Sequence, residues 1–147
     1  MKNVEFSQFM RFAKKCIDHE VDNFHVGEGL SKAGMLTEFA TFLWQKKVIA
    51  YTSDGKDFAL VMPNRDGSNY LYAIWVDEDV RRQGRARALV EYAKLKSPAG
   101  LSLHVNGKNN VAMQMYKNLN FVEYAIDDID EHFMANRPNI GGRENWL

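Results

Sequence analysis

From Phe6 to Ile17 the apolar side chains Phe6, Met10, Ala13 and Ile17 return at helical spacing, while Lys14, Lys15 and Asp18 fall on other faces. This pattern predicts a first amphipathic helix. A second is predicted from Ser31, a residue suited to an N-cap, to Trp44, with Met35, Leu36, Phe39, Phe42 and Leu43 as its apolar stripe. The glycine-containing stretch from Val26 to Gly29 separates the two. The pattern then changes to short apolar runs, Val48 to Thr52, Phe58 to Met62 and Tyr70 to Val76, divided by Asp54-Gly55 and by the turn-forming stretch Pro63 to Gly67. Runs of this kind between turn residues predict an antiparallel meander of three strands. The third run is apolar almost throughout, as expected of a central strand covered on both faces.

Helical spacing resumes with Ala86, Leu89, Val90 and Ala93 and stops at Ser97-Pro98-Ala99-Gly100. Leu101 to Val105 reads as a strand, so strand, helix and strand form a right-handed crossover joining two parallel strands. A helix from Asn110 to Leu119, a strand from Phe121 to Ala125 and a strand from His132 to Asn136 follow, and the last ten residues read as an extended tail anchored by Trp146. The expected class is α/β with a mixed sheet: a helical N-terminal region, an antiparallel meander and a βαβ crossover.

With 147 residues, 46% of them hydrophobic, the chain is expected to form one domain spanning residues 1–147. Its 19 basic and 19 acidic residues cancel, so no global field favours nucleic acid or an anionic membrane surface, and charge-based function has to come from local clustering. The single cysteine, Cys16, forms no intramolecular disulfide and excludes a zinc site of several thiolates, which suits a reducing, cytoplasmic compartment. The N-terminal residues carry neither a signal-peptide core nor a bilayer-spanning run.

Local clustering is found at Asp77 to Ala88, where Arg81, Arg82, Arg85 and Arg87 surround a predicted helix start. Cations there oppose the partial positive charge of the helix N-terminus. A bound anion reverses that sign by accepting from free backbone N–H groups and guanidinium groups. Gly84 allows the backbone to approach such an anion without an intervening Cβ. A solvated basic patch is the simpler account of an arginine cluster, but this one follows the carboxyl end of the central strand beside a crossover, where open α/β sheets hold phosphate ligands. Its spacing is neither the dinucleotide fingerprint nor the nucleotide-triphosphate loop.

These residues resemble the GNAT superfamily of acyl-CoA N-acyltransferases, whose pyrophosphate loop reads Arg or Gln, two residues, Gly, one residue, then Gly or Ala; Arg81, Gly84 and Ala86 match. A second block, with Asn, Ala three residues later, Tyr four after that and then usually Gly-Phe, is matched by Asn109, Ala112, Tyr116 and Phe121. Asn120 stands in place of the glycine, and asparagine enters the left-handed region more readily than most residues. The resemblance covers roughly Lys47 to Asn136. The family's first strand is not visible in the sequence before the first helix, so a reduced or rearranged N-terminal sheet edge is expected.

The resemblance implies an acetyl-CoA co-substrate whose pyrophosphate lies on the backbone N–H groups of Arg82, Gln83, Gly84, Arg85, Ala86 and Arg87, next to Arg81. It implies that Ile74, Trp75 and Val76 line the pantetheine arm, and that the acetyl group passes directly to an amine. Tyr116 corresponds to the family's proton donor, and a phenol stays protonated at neutral pH. By spacing alone Tyr116 reads as a core aromatic sharing a helix face with Ala112 and Leu119. His104 lies where some members carry a carboxylate base; it can serve as an imidazole base or as a strand histidine with a satisfied hydrogen bond. Asn109 would hold the co-substrate or cap its helix.

Cys16, His19 and His25 fit no zinc spacing, so no metal is expected. Glu38, Glu78 and Tyr72 are further candidate bases, and the acidic run Asp127, Asp128, Asp130 and Glu131 either attracts a cationic acceptor or is a solvated loop. Trp44, Trp75 and the phenylalanines read as core. A non-catalytic acyl-CoA sensor retains the arginine loop and uses Tyr116 and His104 for packing alone. Nucleic-acid binding through the arginines is disfavoured by the neutral net charge. The acceptor, protein or small molecule, is open, and so is a homodimer.

Overall fold

The computed structural model describes residues 2–3, 10–15, 18, 32–138 and 140. Residues 10–15 are helical (α1), followed by helix α2 (Lys32–Gln45). The meander is β2 (Ile49–Thr52), β3 (Asp57–Pro63) and β4 (Asn69–Val76), and a 3₁₀ turn (Glu78–Val80) leads into α3 (Arg85–Leu95). The strand β5 (Leu101–Asn106), helix α4 (Asn110–Asn118) and strands β6 (Val122–Ile126) and β7 (Glu131–Ala135) complete the described chain. The sheet order is β1-β2-β3-β4-β5-β7-β6, where β1 (Lys2–Asn3) is a two-residue strand. Every pairing is antiparallel except β4 with β5. The mixed sheet and the crossover match the expected class. The N-terminal sheet edge, not visible in the sequence, is present: Lys2 and Asn3 pair with Thr52 and Tyr51.

Alternation along β3 divides the core between the two faces of the sheet. Ala59 and Val61 face a cluster with Leu89, Val90 and Ala93 of α3 and Tyr116 of α4. Phe58 and Leu60 face the opposite cluster with Phe12 of α1 and Leu43 of α2, where the Phe12 and Phe58 ring centroids are 4.5 Å apart. Among the meander strands it is β3, not β4, that is buried on both faces along nearly its whole length. β4 does hold the middle of the sheet, but beyond Leu71 it is only half-buried.

That half-burial traces to one irregularity. In the register of β3 with β4, Leu60 lies opposite Ala73 and Val61 opposite Leu71, so Tyr72 is an extra residue. A bulge of this kind breaks the alternation and bends its strand. Leu71 faces the α3 cluster, Tyr72 and Ala73 both face the α2 cluster, and Ile74 returns to the α3 side. The parallel pairing of β4 with β5 ends at the same point, covering only Asn69 to Leu71 against Leu101 to Leu103. Past the bulge the two strands part.

Trp44, read as core, is 81% exposed. Its neighbour Leu43 is fully buried, and the ~100° rotation per helical residue carries the next side chain off the buried face. Asn120 adopts the left-handed conformation expected of it, with φ 69°. The Ser31 cap, Cys16, His19, His25 and Trp146 lie outside the described residues.

The start of α3 is held against the β2–β3 turn. Buried Asp57 accepts from the Ser53 N–H (2.8 Å) and hydroxyl (2.5 Å), and the Arg85 guanidinium lies 3.5 Å from Asp57 and 2.8 Å from Asp54. Hydrogen bonding from Arg85 holds the Asp54 carboxyl down to about 2. An unfolded aspartate titrates near ~3.9, so the unfolded chain takes up the proton first and the pair stabilises the fold fully only above that value. Its contribution is lost as the pH falls towards about 2. Arg85→Ala is therefore expected to lower the urea midpoint at neutral pH and to flatten the acid limb of stability between about pH 4 and 2. A variant with the wild-type midpoint and acid limb would show that the clamp adds nothing.

Candidate active site

Where β4 and β5 part, a cleft opens through the sheet. One part, of about 580 Å³, is bordered by Ala73, Ile74, Trp75 and Val76 of β4, by Arg81, Arg82 and Gly84 of the following loop, by Arg85, Ala86 and Arg87 of α3 and by Met115 of α4. A second, of about 380 Å³, shares Ala73, Ile74, Ala86 and Met115 with the first and adds Tyr72, His104, Asn106, Asn109, Tyr116 and Glu131 among others. The two parts adjoin at these shared residues.

The loop into α3 forms a backbone cradle at one mouth of the cleft. Arg82 (φ 61°) and Gly84 (φ 74°) are both left-handed. The first helical hydrogen bond runs from the Ala88 N–H to the Gly84 carbonyl at 3.0 Å, so the N–H groups of residues 82–87 have no backbone acceptor among the described residues. Such converging donors at a helix start attract anions. A Cβ on Gly84 would meet no protein atom within 4 Å, so the space beside it is open to a ligand.

The four arginines differ in what they hold. Arg81 donates from Nε to the Val76 carbonyl (2.9 Å) and lies 5.7 Å from the centroid of the Trp75 ring, tying the loop to the end of β4. Trp75 in turn donates from Nε1 to Asp77 (2.8 Å), which also pairs with Lys15 of α1. The Arg85 guanidinium is committed to the β2–β3 turn, and exposed Arg87 pairs with Glu91 at 3.2 Å. Arg82 makes no ion pair among the described residues and stands free at the rim. Gln83 borders neither part of the cleft.

Tyr116 and His104 enter the cleft from opposite faces of the sheet. Tyr116 belongs to the α3-side cluster, and burial pushes its phenol up to about 12. Its hydroxyl has no hydrogen-bond partner among the described residues. On β5, Leu103 and Val105 face that same cluster, so alternation turns His104 to the other face. There its Nδ1 contacts the Tyr70 hydroxyl, with Phe133 packed against the ring at 5.7 Å between centroids. Asn109 borders the second part of the cleft and also caps α4, its Oδ1 accepting from the Ala112 N–H at 3.1 Å.

Glu38 and Glu78 are exposed and border neither part, while Tyr72 borders the second. Ala73, Met115 and Asn106 also line the cleft without having drawn notice in the sequence. Ala73 and Met115 have no distinguishing chemistry, and only the bulge at Tyr72 turns Ala73 towards the opening. Among the described residues no group of three His, Cys, Asp or Glu is arranged to hold a metal, and no helix is long and apolar enough to cross a membrane.

Residues 44–123, more than half of the chain, match the acetyltransferase (GNAT) domain family. A 62-residue stretch is 36% identical to the peptidyl-lysine N-acetyltransferase YjaB of Salmonella typhimurium, covering 42% of each protein, so the match spans less than half of that relative's length. Among solved structures, the ribosomal-protein-alanine N-acetyltransferase of Brucella melitensis superposes with a TM-score of 0.66 at 16% identity, over 91% of this chain and 96% of that one. A Bacillus anthracis protein provisionally assigned as a streptothricin acetyltransferase, solved with acetyl coenzyme A, gives 0.50 at 20% identity over 60% and 59%. At such identities the structural likeness establishes the fold, and it is the match over residues 44–123 that decides the family: this chain belongs to the GNAT acetyltransferases.

Proposed function

We propose that the chain is a single-domain N-acetyltransferase that binds acetyl-CoA in the cleft between β4 and β5 and passes the acetyl group directly to a primary amine. The observation that carries this reading is the parting of β4 from β5 beyond Leu71, with a free N–H cradle at one mouth and an unpartnered tyrosine hydroxyl inside. Acetyl-CoA supplies an activated thioester. The N–H groups of residues 82–87 and Arg82 suit its pyrophosphate, and the edge of β4 beyond Leu71, apart from the Val76 carbonyl held by Arg81, offers backbone partners for the amides of its pantetheine arm.

The chain's own residues then divide the proton transfers. His104 accepts the proton of the incoming amine, which requires its Nδ1–H to donate to the Tyr70 oxygen so that Nε2 keeps a lone pair. Tyr116, held protonated by burial, gives its proton to the departing thiolate. The two lie on opposite faces of the sheet, so the amine approaches from the His104 side while the thioester arrives from the α3 side. The names of the Salmonella and Brucella proteins describe peptidyl-lysine and ribosomal-protein-alanine acceptors, and the amino groups of lysine and alanine are primary amines. A peptide lysine is the acceptor we favour first.

Calorimetric titration with acetyl-CoA, followed by incubation with lysine peptides and mass detection of an added acetyl group, tests this reading. Binding with product supports it; binding without product favours a non-catalytic acyl-CoA sensor. Gly84→Glu is expected to abolish acetyl-CoA binding, because its carboxylate enters the space beside the cradle at a left-handed φ. Wild-type affinity in that variant would move the phosphates elsewhere.

Tyr116→Phe should lower kcat by roughly 10²- to 10⁴-fold while the acetyl-CoA Kd stays within about twofold. With the phenol near about 12, the wild-type rate should show no descending limb from this group below about pH 10. For His104→Ala the expected outcome is loss of the ascending limb of the pH–rate profile at low pH, and a retained limb would assign the base to another group.

A further inference from the structure

We propose that Glu131 forms an ammonium-binding subsite at the acceptor end of the cleft, so that the acceptor is an alkyl amine recognised in its cationic form. This deepens the acetyltransferase reading and rests on it for the identity of the bound amine as acceptor. Charge along the cleft is segregated. All four arginines border the part beside the N–H cradle, which has no acidic lining residue among the described residues. Among the described residues the other part is bordered by no lysine or arginine, and Glu131 is its one carboxylate.

The strand register gives Glu131 its relation to His104. β5 pairs with β7 so that His104 lies opposite Phe133 and Asn106 opposite Glu131. Side chains two residues apart share a face, so Glu131 is the diagonal cross-strand neighbour of His104 on the face opposite the α3 cluster. The turn that carries it is held at both ends: the Asp127 N–H donates to the Glu131 carbonyl (3.0 Å), and the Glu131 N–H donates to Asp127 Oδ1 (2.9 Å).

Of the other acids near this turn, exposed Asp128 borders neither part of the cleft, and Asp127, Asp130 and Glu123 are already in use. Asp130 and Glu123 grip the two nitrogens of His132 from either side, and their hydrogen bonds raise its pKa. The Glu131 carboxylate, half-buried, has no hydrogen bond or ion pair among the described residues. A carboxylate without a protein partner, facing a cleft, is available to a bound ammonium through charge-assisted hydrogen bonds. Tyr72, which faces the α2 side of the sheet, borders the same space and provides an apolar wall for an alkyl stem. A free alkyl amine and a lysine side chain share this chemistry.

The test uses CoA-saturated protein and two isosteric pairs titrated by NMR at neutral pH: n-butylammonium against n-butanol, and a capped Ala-Lys-Ala peptide against its norleucine counterpart. The cationic member should bind about tenfold or more tightly in at least one pair, and Glu131→Gln should erase that preference. The pair with the larger ratio identifies the source, free amine or peptide lysine. Unchanged CoA affinity of Glu131→Gln by calorimetry shows that the variant is folded. Absence of any preference in the wild type, or its survival in Glu131→Gln, would overturn the subsite. Failure of CoA to bind the wild type would instead strike the acetyltransferase reading, and the amine titrations remain readable on CoA-free protein.

Discussion

The parting of β4 and β5 is the constraint on which the rest of the molecule depends. Two parallel strands paired along their whole length would close the sheet and leave no space at its centre. One extra residue, Tyr72, breaks the alternation of β4 where its pairing with β5 stops. The backbone freed on that edge of β4 becomes a wall with unpaired polar groups, in the middle of a sheet packed by core residues on both faces. Because the opening passes through the sheet, a group on α4 and a group on the opposite face of β5 can border one space. Direct transfer between two substrates needs such an arrangement, since each must reach the same point from its own side.

Around that opening, charge is arranged by pairing as much as by composition. Four arginines near a helix start are locally unfavourable, and an anion is one remedy. The structure supplies a second. Arg85 is neutralised by Asp54 and Asp57, and Arg87 by Glu91 one turn along. Arg81 is spent on the end of β4, so the anion-attracting part of the loop consists of backbone N–H groups, with Arg82 as its free cation. The Arg85 clamp also links the β2–β3 turn to the cradle, so stability and ligand geometry share one contact. At the opposite end Glu123 and Asp130 pair with His132, and Glu131 is the carboxylate that borders the cleft without a partner among the described residues.

Much of the architecture was legible because it rests on periodicity. The helices α3 and α4, the three strands of the meander and the crossover all follow from apolar spacing and turn residues, and Asn120 took the conformation its side chain permits. Errors fell where apolar spacing leaves the phase of an element open or is too short to show. Trp44 is aromatic and one position from a buried leucine, yet rotation about the helix leaves it in solvent. The strand at Lys2 and Asn3 was missed because two residues carry no period of their own. The bulge at Tyr72 is invisible because the apolar run from Tyr70 to Val76 reads the same with or without a change of phase.

The same division applies to the site. By itself the sequence determined the fold class, the glycine at the cradle, the cluster of arginines around it and the candidacy of Tyr116 and His104, since each depends on residue type, local spacing or resemblance. Only the tertiary structure decided which arginine remains free and which face His104 occupies. It also decided that Tyr116, half core aromatic by spacing, borders the cleft with an unpartnered hydroxyl, and that one carboxylate of an acidic run stands beside it. Those outcomes follow from strand register and long-range ion pairs, which join residues tens of positions apart and leave no periodic trace along the chain.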